Sequence, residues 1–495
     1  MGGRDCRANQ TDRPTLVLDA EPSIPSWSVV SRVVGSSALY AVAGASGKAL
    51  ALVTVPFLSR SLGPSGYGLA DLAASLAAVI TVLVMFAGDI PAARLAGETD
   101  QDRQDVLRNY VGLTALVSTV VAILLVPLAG SVAGVLWGDP QQIALVILAL
   151  VLVPISATEA ALASVQRIAG APWTFALVTT SDLLAQLGLA VTFVALGWGP
   201  FGVVAGFVAG SGLALCVALG FGWQHIRGTW NRPLATRIIR EGLPFVPATV
   251  AFMVADYATR YLVLDRLGEQ GVGYFALSIR LASVMSLAVG AFSLAWGPFA
   301  LALRPGAATA RFFGRAATAL LVGISIVALL LGALAPEVVG LISGSAYRPA
   351  AGALAGLLLT SAIAGVFFVV LIAAGVSQSG RLVAGASVAG SVVQVLGVLL
   401  PLPYIGFPAV GVGSLAGRLT SLGLLAGSLG QERIRISGMF PIGAVLATLS
   451  AILLQWQAVE GAPLPARLTL SLAASAVLAI AFLRTSALRP KLTDS

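Results

Sequence analysis

The chain has 495 residues, 58% of them hydrophobic and only 10% charged, with a mean hydropathy of +0.94. Soluble domains carry about 25% charged residues, so no aqueous fold hides this much apolar surface, and the solvent is lipid. The net charge of +8 would point to nucleic acid in a soluble protein; here basic residues retained on one side of a membrane explain it.

Residues 1–31 are polar and carry Asp5, Asp12, Asp19 and Glu21. A signal peptide places a short basic region directly before an apolar run, so this segment reads as a disordered cytoplasmic tail. The first apolar run is too long for a signal core and is expected to stay as a membrane helix. A spanning helix needs about 20 mostly apolar residues. About fourteen such segments follow, near 34–58, 68–91, 110–130, 143–165, 174–197, 201–223, 243–264, 272–297, 315–335, 350–375, 382–402, 409–429, 438–457 and 466–484. With the N-terminus inside, 21 of the 29 Arg and Lys residues fall on inside segments. Only Arg60, Arg266, Arg348 and Arg467 fall outside, and Lys48, Arg260, Arg280 and Arg418 fall within spans. That bias places both termini in the cytoplasm.

The chain writes one glycine-rich turn twice. LGPSGYG (62–68) follows the first span and LGEQGVG (267–273) the seventh, an offset of 205. Leu76 and Ala77 match Leu281 and Ala282 at the same offset, and GPFGVVAGFVAG (199–210) lies over GFPAVGVGSLAG (406–417) at 207. Small residues alone explain close helix approach in a membrane; the shared offset points further, to a duplicated six-helix unit. The expected fold is an all-α polytopic membrane protein of two pseudo-symmetric six-helix bundles, residues 32–230 and 231–435, with two extra C-terminal helices and a tail in 436–495. Parallel repeats of this kind are a transporter plan with the substrate site between the halves.

Charges in mid-membrane cost about 2.5–3.5 kcal/mol on insertion scales, so each needs a reason. Asp256 and Arg260 stand at i, i+4 and pair in the plain reading. Asp71 and Asp89 lie near the two ends of the second span and read as interfacial. Glu159 and Asp182 sit in neighbouring spans and read as residues that bond across neighbouring helices. Lys48, one of two lysines, Arg280 and Arg418 have no acidic partner close in sequence. Together with Arg260 they are the candidate substrate-binding cations of a water-filled cavity. Such a set suits an anionic substrate, phosphate in particular, because low dielectric strengthens the attraction and arginine binds phosphate in bidentate fashion. Asp256, Asp182, Glu159 and Asp89 are the candidate coupling or structural acids. The two cysteines, Cys6 and Cys216, and the single His225 supply no disulfide framework, no metal set and no histidine-dependent triad.

The stretch 241–303 resembles the bacterial polysaccharide transporter family, the O-antigen and exopolysaccharide repeat-unit flippases. The pieces that carry the resemblance are Gly242-Leu243-Pro244, Asp256 with Arg260, the turn ending at Tyr274, and Trp296-Gly297-Pro298-Phe299. VPFLSRSLGPSGYGLADL (55–72), ISGSAYRPA (342–350) and LPYIGFPAVGVGSLAG (402–417) look like the family's outside loops. The resemblance runs from about residue 34 to 435 and implies the multidrug/oligosaccharidyl-lipid/polysaccharide exporter fold, alternating access, and an undecaprenyl-pyrophosphate-linked oligosaccharide as substrate. It implies a site in the bacterial cytoplasmic membrane beside polysaccharide polymerase machinery, with no cofactor and no enzymatic chemistry. Two other readings stand beside it. A cation-coupled multidrug exporter of the same superfamily would use Asp182, Glu159 or Asp89. A polytopic polymerase or ligase would need a sizeable outside loop with catalytic residues, and the longest outside loop is about 336–349.

Overall fold

The computed structural model describes residues 27–98, 103–301, 306–374, 380–429, 434–435 and 439–487. Lipid offers no partner for a free N–H or C=O, so a chain this apolar closes its backbone bonds within helices. Among the described residues there is no strand. The helices of the first half are α1 (Trp27–Met85), α2 (Asp89–Glu98), α3 (Arg103–Leu125), α4 (Ala129–Trp137), α5 (Ile143–Ile168), α6 (Pro172–Ala195) and α7 (Gly199–Gly222). A connecting helix, α8 (Arg232–Gly242), leads to α9 (Val246–Ala282), α10 (Val284–Leu301), α11 (Ala307–Ala333), α12 (Ala335–Ser343), α13 (Ala351–Ala374), α14 (Gly380–Leu399), α15 (Leu402–Ile405) and α16 (Pro408–Ser428). The chain ends in α17 (Met439–Val459) and α18 (Leu464–Ala487).

The repeated turns are where the two longest helices break. At 59 residues, α1 drawn straight would be about 88 Å long, roughly three bilayer cores. Gly63 interrupts it at φ 64°, ψ 177°. Gly268 interrupts α9 at φ 70°, ψ −173°. Both occupy the same left-handed backbone region, which glycine enters without a Cβ penalty. Twelve helical stretches among the described residues are long and apolar enough to cross a membrane. Two of them, Leu52–Glu98 and Arg232–Gly290, contain a glycine break, and the described residues of each of the fourteen expected spans are mostly helical.

The halves repeat the same packing. In the first, α6 lies against α7 and α1, and α5 against α3 and α7; in the second, α14 lies against α16 and α9, and α13 against α11 and α16. The small-residue repeat makes the tightest of these contacts. A Cβ at Gly206 would sit 2.8 Å from the Leu189 carbonyl carbon, and one at Gly413 would sit 2.6 Å from Val398 N. The two extra helices pack on α11 and α13 and on each other. Apolar side chains such as Val53, Ile123, Leu184, Leu213, Leu453 and Leu483 point outwards, the face a bilayer covers. Residues 1–26, most of the expected tail, lie outside the described residues.

Candidate functional site

The bundles meet at the end where the two glycine turns lie. A Cβ on Gly68 would come within 2.7 Å of Gly273 N, and one on Gly273 within 2.7 Å of the Pro64 carbonyl carbon. Gly68 and Gly273 are equivalent positions of the repeat, so the contact is reciprocal, and it exists only because neither carries a side chain. Around it the end of the first span is tied to the short helices α12 and 345–350. Ser59 Oγ donates to Ser343 Oγ at 2.9 Å, Tyr347 Oη to the Ser59 carbonyl at 3.1 Å, and Arg60 Nε to the Ile342 carbonyl at 3.0 Å. Tyr347 also stands edge-on to Tyr67 and Tyr274, with ring centroids 6.4 and 6.2 Å away. Trp137 Nε1 donates to Tyr257 Oη at 3.3 Å, a further link between the halves. At the opposite end, Arg94 pairs with Glu241 of the connecting α8, and Arg237 Nη2 lies 3.5 Å from Glu98 Oε2.

Just inside the sealed end, a buried ion pair spans the two bundles. Arg260 Nε donates to Asp71 Oδ2 at 2.8 Å, with side chains 9% and 10% exposed. Asp71 stands eight residues after Gly63 and Arg260 eight before Gly268, so the helical rise brings both to one level. This corrects the expected i, i+4 pair. Arg260 reaches Asp256 only at its backbone carbonyl, 3.1 Å from Nη1, while the Asp256 carboxylate accepts from Gln394 Nε2 at 2.7 Å. The carboxylate on the facing helix meets the guanidinium at Nε, whereas the one four residues earlier on its own helix is turned to Gln394. Asp71 is accordingly no interfacial residue. The Arg260 guanidinium also lies 5.1 Å from the Phe275 ring centroid.

The other candidates are distributed around this pair. Arg280 lines, with Asp71, Tyr67 and Thr54, a small cavity of about 20 Å³ whose other walls come from the first bundle. Arg418 is set over the Phe252 ring, 3.5 Å from its centroid, so a cation–π contact replaces the acidic partner it lacks in sequence. In the first bundle the Asp182 carboxylate accepts from Gln186 Nε2 at 2.7 Å and Ser211 Oγ at 3.1 Å. The Ser211 bond runs from α7 to α6, so Asp182 is bonded across neighbouring helices as expected. Glu159, 9% exposed, has no hydrogen-bond partner among the described residues. Asp89 faces Arg167 at 3.7 Å, both partly exposed, at the end away from the turns. Lys48 lies on α1, and its side chain is outside the described residues. Among the described residues no cluster of three or more His, Cys, Asp or Glu could hold a metal ion.

Sequence reasoning missed Asp71 as the partner of Arg260, and it missed the Ser59, Arg60, Ser343 and Tyr347 closure. The equal spacing of Asp71 and Arg260 from the repeated glycines was the signal available for the first. The closure had none, because it joins residues more than 280 positions apart.

Two six-helix bundles joined face to face, two appended helices and charges buried at the seam define a multi-pass membrane protein of the multidrug/oligosaccharidyl-lipid/polysaccharide exporter fold. The structure is similar to lipid II flippase MurJ in an inward closed conformation, with a TM-score of 0.60 at 11% identity over 90% of this chain and 99% of that one. It is similar to the Vibrio cholerae MATE transporter VcmN, with a TM-score of 0.57 at 14% identity over 88% and 98%. An inward-facing multidrug resistance MATE family transporter of the MOP superfamily gives 0.54 at 15% identity over 84% and 96%. At such identities the likeness is one of fold. No curated protein matches the chain in sequence. Residues 57–351, more than half the chain, match the model of the family described as polysaccharide biosynthesis protein, and the chain belongs to that family.

Proposed function

We propose that the protein is a flippase that carries a lipid-pyrophosphate-linked oligosaccharide repeat unit across the bacterial cytoplasmic membrane by alternating access, for cell-surface polysaccharide. The observation that carries the reading is the buried Asp71–Arg260 pair with the half-buried Arg280 at the seam of two like bundles, in a chain of the polysaccharide-biosynthesis family. Leaving one hydroxyl without a partner in an apolar medium costs roughly 2–7 kcal/mol, and an oligosaccharide has many, besides its phosphates. A polar path between the halves removes most of that cost while the lipid tail stays in the bilayer. Arg260, Arg280, Arg418 and Lys48 are the proposed headgroup cations. Asp182, Glu159, Asp256 and Asp89 are the proposed coupling or structural acids.

In this reading the turns face outwards, both termini are cytoplasmic, and the units are residues 32–230, 231–435 and 436–495. The likeness to MurJ, a lipid II flippase by name, favours a lipid-linked saccharide over a drug. The carboxylates of the first bundle favour, as a second reading, a cation-coupled multidrug exporter; multidrug resistance is the role named for a MATE family transporter of like fold. Deleting the gene in its host tests the choice. The flippase reading expects lost surface polymer and a complete lipid-linked repeat unit accumulating on the cytoplasmic leaflet. Unchanged polymer with raised sensitivity to cationic drugs would replace it with the exporter reading.

A further inference from the structure

A buried ion pair between two bodies that must separate is an obstacle unless something takes over one of its charges. Asp71 belongs to the first bundle and Arg260 to the second, and the pair lies directly beneath the sealed turn end. Opening that end in the empty protein would leave a carboxylate and a guanidinium both buried and unpaired, which low dielectric makes unfavourable. Arg260 has further contacts, to the Asp256 carbonyl and over Phe275, that keep it on the second bundle whichever anion it meets. Asp71 faces the small cavity that Arg280 also lines. At about 20 Å³ that cavity has room for one water and none for a diphosphate, so the anion position on Arg260 is filled by the protein's own carboxylate.

We propose that Asp71 is the resident stand-in for the substrate's phosphate. Loading exchanges the Asp71–Arg260 pair for a phosphate–Arg260 pair, and only the loaded protein releases the turn-end closure. This rests on the flippase reading and adds to it a reason why the empty carrier does not open. A phosphate replaces a carboxylate on arginine without loss, since both accept the bidentate fork. The displaced Asp71 still lines the cavity to which Arg280 contributes a positive charge.

The test is binding of farnesyl diphosphate, a short isoprenyl diphosphate, to the purified full-length protein in detergent micelles, with thermal stability followed in parallel. Asp71→Asn removes the competitor and is expected to tighten binding about tenfold, the scale of one charge-assisted hydrogen bond, while lowering stability. Arg260→Lys keeps a cation for Asp71 but loses the fork; stability is retained and diphosphate affinity falls about tenfold. Should Asp71→Asn fail to fold, Arg260→Lys decides alone. Unchanged or weaker binding in Asp71→Asn, or unchanged binding in Arg260→Lys, would make the pair a structural tie and overturn the proposal while leaving the flippase reading standing. No binding of farnesyl diphosphate to the unsubstituted protein would overturn both.

Discussion

Replacing Gly68 or Gly273 by alanine is expected to open the turn end without unfolding the bundles. Each substituted Cβ would lie 2.7 Å from backbone atoms of the other half, namely Gly273 N for Gly68 and the Pro64 carbonyl carbon for Gly273. Ordinary carbon contacts begin near 3.4 Å, so the two turns must part by at least about 0.7 Å, and backbone has no rotamer by which to yield. Overpacking of this kind costs about 1–3 kcal/mol. The strain exists only while the turns touch, so it acts on the balance between closed and open forms and shifts that balance roughly 5- to 150-fold towards open. The assay is labelling of a Ser343→Cys reporter by a membrane-impermeant maleimide added on the side the turns face. Ser343 is buried against Ser59 in the closed form. Gly68→Ala should raise the labelling rate at least about fivefold. Gly340→Ala, where an added Cβ meets nothing within 4 Å, should leave it unchanged. Unchanged labelling in a folded Gly68→Ala protein would refute the reasoning.

Ser59→Cys with Ser343→Cys, in a chain whose Cys6 and Cys216 are serine, should form a disulfide on oxidation, since the hydroxyls are 2.9 Å apart. Transport should stop on oxidation and return with reductant; full cross-linking with undiminished transport would show that the turn end need not open. Arg467 ties α18 to α12 through Glu337 and donates to the Ala333 and Ala462 carbonyls at 2.9 and 3.0 Å. Arg467→Ala should cost about 1–3 kcal/mol of stability, mostly from the orphaned carbonyl groups, because Glu337 is partly exposed and regains water. Burial pushes the Glu337 carboxyl up, but hydrogen bonds and charge from Arg467 outweigh it and hold it below its usual value. The stabilisation from this pair is therefore complete above the ordinary carboxylate range and fades as pH falls through the lowered value, which thermal melts of wild type and Arg467→Ala should show as a gap that narrows at low pH to the part left by the two carbonyls. Phe252→Leu removes the ring beneath Arg418 and should lower stability by about 0.5–2 kcal/mol, measured by thermal melt, with Arg418→Ala adding little to it.

The spans and the duplication were legible because both are local or periodic. A 20-residue apolar run reports itself, and Gly63 and Gly268 lie in turns spelled almost alike, with the same backbone geometry in the structure. The partners of the buried charges were not legible. Periodicity reports which residues share a helix face, so it offered Asp256 to Arg260, whereas docking of the bundles supplied Asp71 from 189 positions away. The loop near 336–349 was legible as the longest outside loop and, in ISGSAYRPA, as a piece resembling the family's loops. Its role in closing the turn end depends on Ser343 and Tyr347 meeting Ser59, a contact fixed by the closed arrangement of the halves and by no pattern within either.

The central claim is that the chain moves a lipid-linked anionic saccharide from one leaflet to the other. The direct measurement is reconstitution of the purified protein into liposomes with a fluorescent undecaprenyl-pyrophosphate-linked oligosaccharide, with an impermeant quencher added to report its leaflet. The account predicts that quenching exceeds the half accessible in protein-free vesicles, that Arg260→Gln abolishes the excess, and that oxidation of the Ser59→Cys, Ser343→Cys protein does the same. Quenching that stays at the protein-free level in vesicles of folded protein would contradict it.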